Sequence, residues 1–310
     1  MDRASNRKSG LGVSLLILLL GLGLAVVDGL VRFLEAKVSG NLAHIAEIPQ
    51  IIDQARQSRE PSLLLLGNSL TNNGTDAQFL QSSLQSSLVA KITPDATDLW
   101  DWQCILRHEV VAEGAGSIRT VVIGTAWHLL SDQAAVDPSR LGALFCRFAD
   151  LSKPASIGLH TSADIGEFIL ARVSRTYALR DTLRNRLFKI AVPNYQKFAG
   201  EAAAAPAGSP GTSTSAATYT YARLEALAEQ LRLSGVTLVI LSMPIPEPYE
   251  IDTGLLELAR QGKVVLRDYR VLPGIERASF IDSMHLGSDG RAVLSARLAS
   301  DLATVTAVRQ

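Results

Sequence analysis

The chain has 310 residues, which is enough for one large domain or two small ones. Thirty Lys and Arg residues balance thirty Asp and Glu residues, so the formal net charge is zero. A general nucleic-acid-binding protein needs a surplus of basic residues, and this composition argues against that class.

An uncharged run close to the N-terminus indicates the compartment. Arg3, Arg7 and Lys8 precede Ser9–Val27, nineteen residues without a charge. A bilayer core requires about 20 such residues in a helix, whereas the apolar core of a secretory signal has roughly 7–15. No small-x-small cleavage signal follows. The sequence predicts a cytoplasmic tip and transmembrane anchor over residues 1–35, with the rest of the chain outside the cytoplasm. A cleaved signal peptide is the alternative interpretation.

Strands and helices are expected to alternate after the anchor. Residues 36–60 are predicted to form a helical stalk that ends before Pro61. The predicted strands are residues 63–66, 88–92, 120–123, 236–241 and 264–266, and the predicted helices between and after them are residues 76–87, 100–112 and 288–302. Alternation of this kind is typical of a parallel sheet covered by helices on both faces. The predicted fold class is therefore α/β, a three-layer doubly wound parallel sheet.

A long insertion, residues 131–217, separates the third and fourth predicted strands. Residues 137–151 and 163–190 are expected to be helical. The second stretch carries five arginines, some on adjacent helical turns: Arg172, Arg175, Arg180, Arg184 and Arg186. They form either a solvated surface face or a patch for anionic polymer or lipid headgroups. Residues 200–218 are rich in Ala, Ser, Thr, Pro and Gly and predict a low-complexity loop.

Two short motifs more than 200 residues apart supply the side chains of a nucleophilic enzyme. Gly67-Asn68-Ser69-Leu70 follows the first predicted strand, and Asp282-Ser283-Met284-His285-Leu286 precedes the last helix. A serine hydroxyl is a weak nucleophile until a base takes its proton. A carboxylate three residues before a histidine can fix the tautomer of the imidazole. Taken alone, the first motif could be a plain strand-to-helix turn and the second a surface histidine near a helix start. A parallel sheet between them would bring Ser69, Asp282 and His285 into one candidate catalytic site.

The two motifs resemble the first and last blocks of the SGNH hydrolase superfamily, also called GDSL esterases and lipases. Asn68 stands where the first block usually has aspartate, and Gly290 follows the last block. The resemblance covers residues 61–305 and implies a flavodoxin-like SGNH fold. By resemblance, Ser69 is the nucleophile, His285 the base and Asp282 the residue that orients the base.

The middle of the chain departs from the family pattern. The second family block has a glycine whose N–H helps to bind the oxyanion, but residues 93–100 contain none. The third block usually reads Gly-x-Asn-Asp and provides an asparagine, whereas residues 124–128 read Gly-Thr-Ala-Trp-His. The candidates for the oxyanion hole or the substrate cleft are the Ser69 N–H, Asn72, Asn73, Gly124, Thr125 and His128. Packing in the cleft or the core is the alternative role for Trp127 and His128.

The anchor and the resemblance together imply a membrane-anchored, extracytoplasmic serine esterase or O-acyltransferase, in the periplasm or at the cell surface. It would act through an acyl-serine intermediate on an acylated small molecule or polysaccharide. Anchored members of the superfamily resemble proteins that acylate exported polymers beside a multispanning acyltransferase, which is a candidate partner here. The alternatives are a non-catalytic SGNH-like scaffold or glycan-binding partner of such an acyltransferase, and a secreted soluble esterase.

The two cysteines, Cys104 and Cys146, leave two readings open. Outside the cytoplasm they could form a disulfide, or they could be two small buried apolar side chains. Neither has a second Cys or a His at ligand spacing, so no metal site is expected. The resemblance implies no cofactor.

Overall fold

The computed structural model describes residues 3–84, 88–192 and 219–307, so the predicted loop at residues 200–218 lies outside the described residues. The described chain divides into two compact units. The helical unit contains residues 3–43, 138–144 and 160–192, and the α/β unit contains residues 44–84, 88–137, 145–159 and 219–307.

The described helices and strands are, in chain order, α1 (Arg3–Val38), α2 (Gly40–Gln57), β1 (Ser62–Gly67), α3 (Ser69–Gly74), α4 (Ala77–Ser83), β2 (Leu88–Ile92), α5 (Leu99–Leu106), β3 (Ile118–Thr125), α6 (Pro138–Arg140), α7 (Ser162–Val173), α8 (Arg175–Ala178), α9 (Arg180–Ala191), α10 (Ala222–Leu233), β4 (Thr237–Ser242), α11 (Thr253–Arg260), β5 (Val265–Asp268) and α12 (Ser288–Ala307). A π-helical turn, Arg107–Val111, continues α5.

The α/β unit is built on a five-stranded sheet in the order β2-β1-β3-β4-β5, and each neighbouring pair is parallel. This is the flavodoxin-like strand order, in which ligand sites lie where the order reverses, here between β1 and β3. Every residue of β1 is buried because the strand lies inside the sheet with helices on both faces. The predicted fold class and all five predicted strands are confirmed, with strand ends within two residues of the prediction.

The predicted stalk is not a separate element. From His44 onward α2 belongs to the α/β unit. Its apolar residues recur at helical spacing, and the side chains of Ile45, Ile48, Ile52 and Ala55 are buried. This stripe packs into the core, which explains why the segment does not stand free in solvent.

The predicted helix over residues 163–190 is divided into α7, α8 and α9. Ser174 has an extended backbone, and its hydroxyl accepts a hydrogen bond from the N–H of Tyr177 at the start of α8. Serine favours such caps over helix interiors because its hydroxyl competes for backbone groups. The predicted helix over residues 137–151 is likewise not continuous, since α6 is followed by a π-helical turn and by a 3₁₀ turn at Phe148–Ser152.

Within α1, the stretch Ser14–Lys37 is long and apolar enough to span a bilayer. Leu16, Leu18 and Leu20 each expose about two thirds of their surface, so this stretch is not a core helix. The structure thus contains the helix that an anchor requires, whereas its orientation across a membrane stays a prediction.

The two cysteines form a disulfide inside the α/β unit, joining α5 to the segment after the π-helical turn at Leu141–Phe145. Both side chains are buried. Of the two interpretations of the cysteines, the structure therefore contains the disulfide.

Candidate active site

Ser69 lies at the carboxyl edge of the sheet, at the point where the strand order reverses. β1 ends at Gly67, and α3 begins at Ser69 with Asn68 as its N-cap, whose Oδ1 accepts the N–H of Leu70 at 3.0 Å. At the first position of a helix the backbone N–H has no partner within the helix. The turn therefore exposes both the hydroxyl and the N–H of Ser69 at this edge.

Two glycines make this turn possible. A Cβ on Gly67 would lie 2.0 Å from Thr71 Oγ1, and a Cβ on Gly124 would lie 2.3 Å from the same atom. The Thr71 hydroxyl is buried and donates a hydrogen bond to the Gly124 carbonyl at 3.0 Å. This close packing ties the helix that begins at Ser69 to the end of β3.

The second motif forms a small closed loop. Asp282 Oδ1 accepts the N–H groups of Met284 and His285, each at 2.8 Å. The N–H of Ile281 donates to the His285 carbonyl, and the buried side chain of Leu286 fixes the loop to the core. Asp282 and His285 are thus held in one rigid turn, as the three-residue spacing predicts.

The structure brings the two motifs together. His285 Nε2 lies 2.9 Å from Ser69 Oγ, and His285 Nδ1 lies 2.8 Å from Asp282 Oδ2. With Nδ1–H donating to the carboxylate, Nε2 is left to accept the serine proton. The His285 side chain is 18% exposed and that of Asp282 is 48% exposed, so a substrate can reach this site from solvent.

The environment keeps Asp282 ionised. Its slight burial works to raise the pKa of the carboxyl, but the hydrogen bonds from the His285 ring and from the N–H groups of Met284 and His285 outweigh that effect. The pKa of Asp282 therefore lies below its ordinary value of 3.8. The carboxylate is charged at neutral pH and can stabilise an imidazolium.

The two asparagines of α3 have different surroundings. Asn73 Nδ2 donates to the Ser69 carbonyl at 2.9 Å, so its amide is held within the helix. Asn72 is exposed, and its backbone carbonyl accepts a hydrogen bond from Lys91 Nζ at 2.8 Å. Lys91 also donates to the Thr75 carbonyl and Arg291 donates to the Asn73 carbonyl. These two cations stabilise the negative end of α3.

The three candidates at the end of β3 and just after it, Gly124, Thr125 and His128, are buried or half-buried. The Gly124 carbonyl accepts the Thr71 hydroxyl, as described above, and the Thr125 carbonyl accepts the N–H of Met243 at 2.8 Å. The His128 ring stacks on Tyr219 with ring centroids 3.6 Å apart. Burial lowers the pKa of His128, which favours the neutral imidazole. These contacts favour a packing role for Gly124 and Thr125.

Sequence reasoning missed Asn68 and two loop residues. Asn68 Nδ2 donates to the Thr97 carbonyl at 3.1 Å, which joins the serine turn to the loop after β2. In that loop Ala96 has φ 57°, and after β3 Trp127 has φ 51°. Asn68 carried a signal, because asparagine is a preferred N-cap. Neither alanine nor tryptophan favours the left-handed region, so the sequence offered no sign of those two turns.

An apolar surface lies beside the serine and the histidine. Leu70, Ala126 and Ile245 form a small buried cluster, and the partly buried Tyr249 and Met284 pack against it. Leu70 and Met284 are the sequence neighbours of Ser69 and His285. The exposed Trp127 ring lies 6.3 Å from the Tyr249 ring, centroid to centroid. The arrangement offers apolar contacts for the acyl or leaving group of an ester.

Within the described ranges, the grouping of potential metal ligands is Cys104, Cys146 and Asp150. The two sulfurs are joined in the disulfide, and Asp150 lies 2.8 Å from His108 Nε2. These side chains are therefore structural partners of one another.

The comparisons found no matching protein-family model and no matching curated protein. A solved structure described as an acylhydrolase from Bacteroides fragilis matches with a TM-score of 0.41 and 12% identity, covering 84% of this chain and 95% of its own. Two Axe2 variants from Geobacillus, described as an acetyl-xylooligosaccharide esterase and an acetylxylan esterase, match with TM-scores of 0.39 and 0.40 and 12% identity. They cover 80% and 79% of this chain and 96% and 94% of theirs. Scores of this size leave the interpretation of the site to its own geometry.

Proposed function

We propose that this protein is a membrane-anchored serine esterase or O-acyltransferase that works through an acyl-Ser69 intermediate. The observation that carries the proposal is the continuous hydrogen-bonded chain from Ser69 Oγ through His285 to Asp282, with distances of 2.9 and 2.8 Å. Residues of these three types, in this order of contact, activate a serine hydroxyl for attack on a carbonyl carbon.

The reaction has two steps. Ser69 Oγ attacks the ester carbonyl while His285 Nε2 takes the hydroxyl proton, and the ester bond breaks as the same nitrogen protonates the leaving alcohol. In the second step the acyl acceptor, water or a sugar hydroxyl, loses its proton to His285 Nε2 and attacks the acyl carbon. The bond between that carbon and Ser69 Oγ then breaks, and His285 returns the proton to Ser69 Oγ. Asp282 stays ionised throughout and stabilises the imidazolium.

Backbone groups supply the oxyanion hole in this proposal. The Ser69 N–H is the first donor, and the N–H of Ala96 is the second, in the turn that Asn68 joins to the serine. Ala96 adopts the left-handed backbone that glycine favours, and it lies in the stretch 93–100 that resembles the family's glycine-containing second block, which supports a glycine-like role. One such donor is worth about 10²–10³ in rate.

The location and the substrate complete the proposal. The positive residues at the start of α1, before its uncharged run, favour a cytoplasmic N-terminus and hence an α/β unit outside the cytoplasm. The disulfide supports a location outside the cytoplasm, because disulfides persist in oxidising compartments. An exposed aromatic ring at Trp127 suits a sugar ring, so an acylated glycan is the proposed substrate class, with a multispanning acyltransferase as a possible donor of the acyl group.

Turnover of an activated acetyl ester by the full chain in detergent tests the enzyme. Ser69→Ala and His285→Ala are expected to lower kcat by about 10⁴–10⁶-fold. Ser283→Ala is the matched control, because this serine is exposed in the same loop as His285 and should keep wild-type turnover. An added glycan acceptor should hasten loss of the acyl-enzyme and become acylated only if the protein is a transferase.

A non-catalytic scaffold is the second candidate function. It is favoured by Ala126, which stands where the third family block has asparagine and whose methyl group is buried in the apolar cluster beside Leu70. A folded wild type that turns over no ester and forms no acyl-enzyme would favour this scaffold over the enzyme.

A further inference from the structure

Three charged residues on one face of α1 hold α8 against it. Asp28, Arg32 and Glu35 follow one another at i, i+4 and i+7 and so share a face. Asp28 accepts the Ser174 hydroxyl at 2.9 Å and the Thr176 N–H at 2.8 Å, and Glu35 forms an ion pair with Arg175. Arg32 bonds Asp28 at 2.8 Å and the Val173 carbonyl at 2.7 Å.

These contacts fix the position of α8 along the axis of α1. The charge-free run of α1 ends at Val27, so Asp28 is the first charge after a span that fills the bilayer core. From Asp28 to Glu35 the helix rises about 10 Å. The interfacial zone beyond the hydrocarbon core is roughly 5–8 Å deep on each side. In a membrane-anchored chain, Asp28 and its partners Ser174 and Thr176 at the start of α8 therefore lie at the depth of the lipid headgroups, and Glu35 lies at or just beyond their outer edge.

The neighbouring helices of the same unit expose apolar side chains. In α9, Leu187 is 65% and Ile190 78% exposed, and in α7, Leu170 is 53% and Val173 63% exposed. Leu183, Leu187 and Ile190 share one face of α9 by their spacing. Large apolar side chains grouped in this way mark an interaction surface.

Charge identifies the kind of partner. α9 contains four basic residues, Arg180, Arg184, Arg186 and Lys189, against one acidic residue, Asp181. Two of them form ion pairs, Arg184 with Asp181 and Arg180 with Glu167 of α7, and a basic surplus remains on the helix once both acidic partners are counted. Amphipathic helices that are rich in Lys and Arg lie in the membrane interface with the apolar face among the lipids. This composition complements anionic lipid headgroups.

A groove beside α1 adds to the same surface. It has a volume of about 720 Å³ and is lined by α1 and by the segment around α8. Leu24, Val27 and Val173 form apolar parts of its wall, and Tyr177 and Arg180 form polar parts. The apolar part of this wall, along α1, matches a lipid acyl chain.

We propose that α9 and the end of α7 form a second membrane contact, lying in the interface of the bilayer that α1 enters. The apolar face of α9 inserts among the lipids, and its cationic side chains contact anionic headgroups. This inference rests on the anchoring in the proposed function, and it is independent of the catalytic reaction.

A depth measurement on the full chain tests this contact. A single cysteine is introduced as Leu187→Cys and labelled with an environment-sensitive fluorophore, without reductant, because Cys104 and Cys146 are joined in a disulfide. The protein is reconstituted in vesicles of phosphatidylcholine and phosphatidylglycerol. The label at position 187 should emit at shorter wavelength and be quenched by lipids that carry a shallow nitroxide. Asn185→Cys is the matched control on the opposite face of α9 and should be quenched far less.

Two further variants make every outcome decisive. Leu22→Cys reports on α1. Quenching at position 22 with none at position 187 overturns the surface contact, and quenching at neither position overturns the anchor and the contact together. Arg184→Gln with Lys189→Gln, or vesicles without phosphatidylglycerol, should reduce the quenching at position 187. Unchanged quenching under both conditions overturns the headgroup contact.

Ester turnover by the same labelled proteins separates this inference from the enzyme. Ser69→Ala should lose turnover and keep the quenching at position 187. Quenching without any wild-type turnover would contradict the catalytic proposal alone, and turnover without quenching would contradict the membrane contact alone.

Discussion

At the scale of single residues, two side chains, Asp282 and Asn68, each make several of the hydrogen bonds that position the site. Asp282 bonds the His285 ring and two backbone N–H groups at once, so it both shapes the loop and orients the base. Asn68 caps α3 with one atom of its amide and reaches the loop after β2 with the other. The sequence showed the three residue types of the site. It did not show that Asn68 also bonds the loop after β2, because that partner lies 29 residues away.

Replacing Asp282 by asparagine should leave the fold intact and impair the base. We expect Asp282→Asn to lower kcat by about 10²–10⁴-fold, less than the upper limit for a buried aspartate because this carboxylate is half exposed to water. The pKa of Asp282 is lowered, so its charge is present above pH 3.8 and is lost only as the pH falls through that lowered pKa. The deficit of Asp282→Asn should therefore persist on the alkaline plateau of kcat, where the base is unprotonated in both proteins. A variant that regains the wild-type kcat on that plateau would contradict this role.

At the scale of elements, the strand ends matter most. β1 ends at Gly67, and β3 has Gly124 next to its last residue. The two glycines are paired across the neighbouring strands. Short continuous apolar runs predict such strands well, because a strand covered by helices on both faces needs apolar side chains at every position. Helix breaks are harder to predict. Ser174 interrupts a pattern that reads as one helix, and the burial of α2 depends on packing that no local pattern specifies.

Adding one methyl group at the end of β1 should disturb the nucleophile. In Gly67→Ala the new Cβ would meet Thr71 Oγ1 at 2.0 Å, and Thr71 is fully buried. Overpacking of this kind costs about 1–3 kcal/mol. We expect a lower Tm and a lower kcat, measured by thermal unfolding and ester turnover. Gly114→Ala is not a suitable control because of its positive φ, whereas Gly166→Ala inside α7 has open space around it and should keep kcat unchanged and leave the Tm equal or higher, since alanine favours a helix interior. Equal behaviour of the two variants would contradict the packing argument.

At the scale of the whole molecule, each of the two units gathers segments that are distant in sequence. The insertion between β3 and β4 is shared between them, and residues 145–159 return to the α/β unit through the disulfide. The sequence predicted the layer order and the anchor-like helix. It left the cysteine pairing open because the distance between Cys104 and Cys146 depends on how the insertion folds back.

The disulfide should make a large contribution to the stability of the α/β unit. It closes a loop over a sequence separation of 42 residues. In the chain-entropy account such a cross-link contributes about 2–4 kcal/mol to the free energy of unfolding. Cys104→Ser with Cys146→Ser should therefore unfold at a lower temperature than the wild type, and reductant should lower the Tm of the wild type only. An unchanged Tm in the double variant would show that the disulfide is energetically neutral.

The most direct measurement for the central claim is covalent labelling of the serine by a fluorophosphonate probe, followed by peptide mapping of the full chain. The account predicts one modified residue, Ser69, with labelling abolished in Ser69→Ala, strongly slowed in His285→Ala and unchanged in Ser283→Ala. The reason is that only Ser69 has its hydroxyl within 2.9 Å of an oriented histidine nitrogen in the described site. A folded wild type that remains unlabelled, or that is labelled at another serine, would contradict the account.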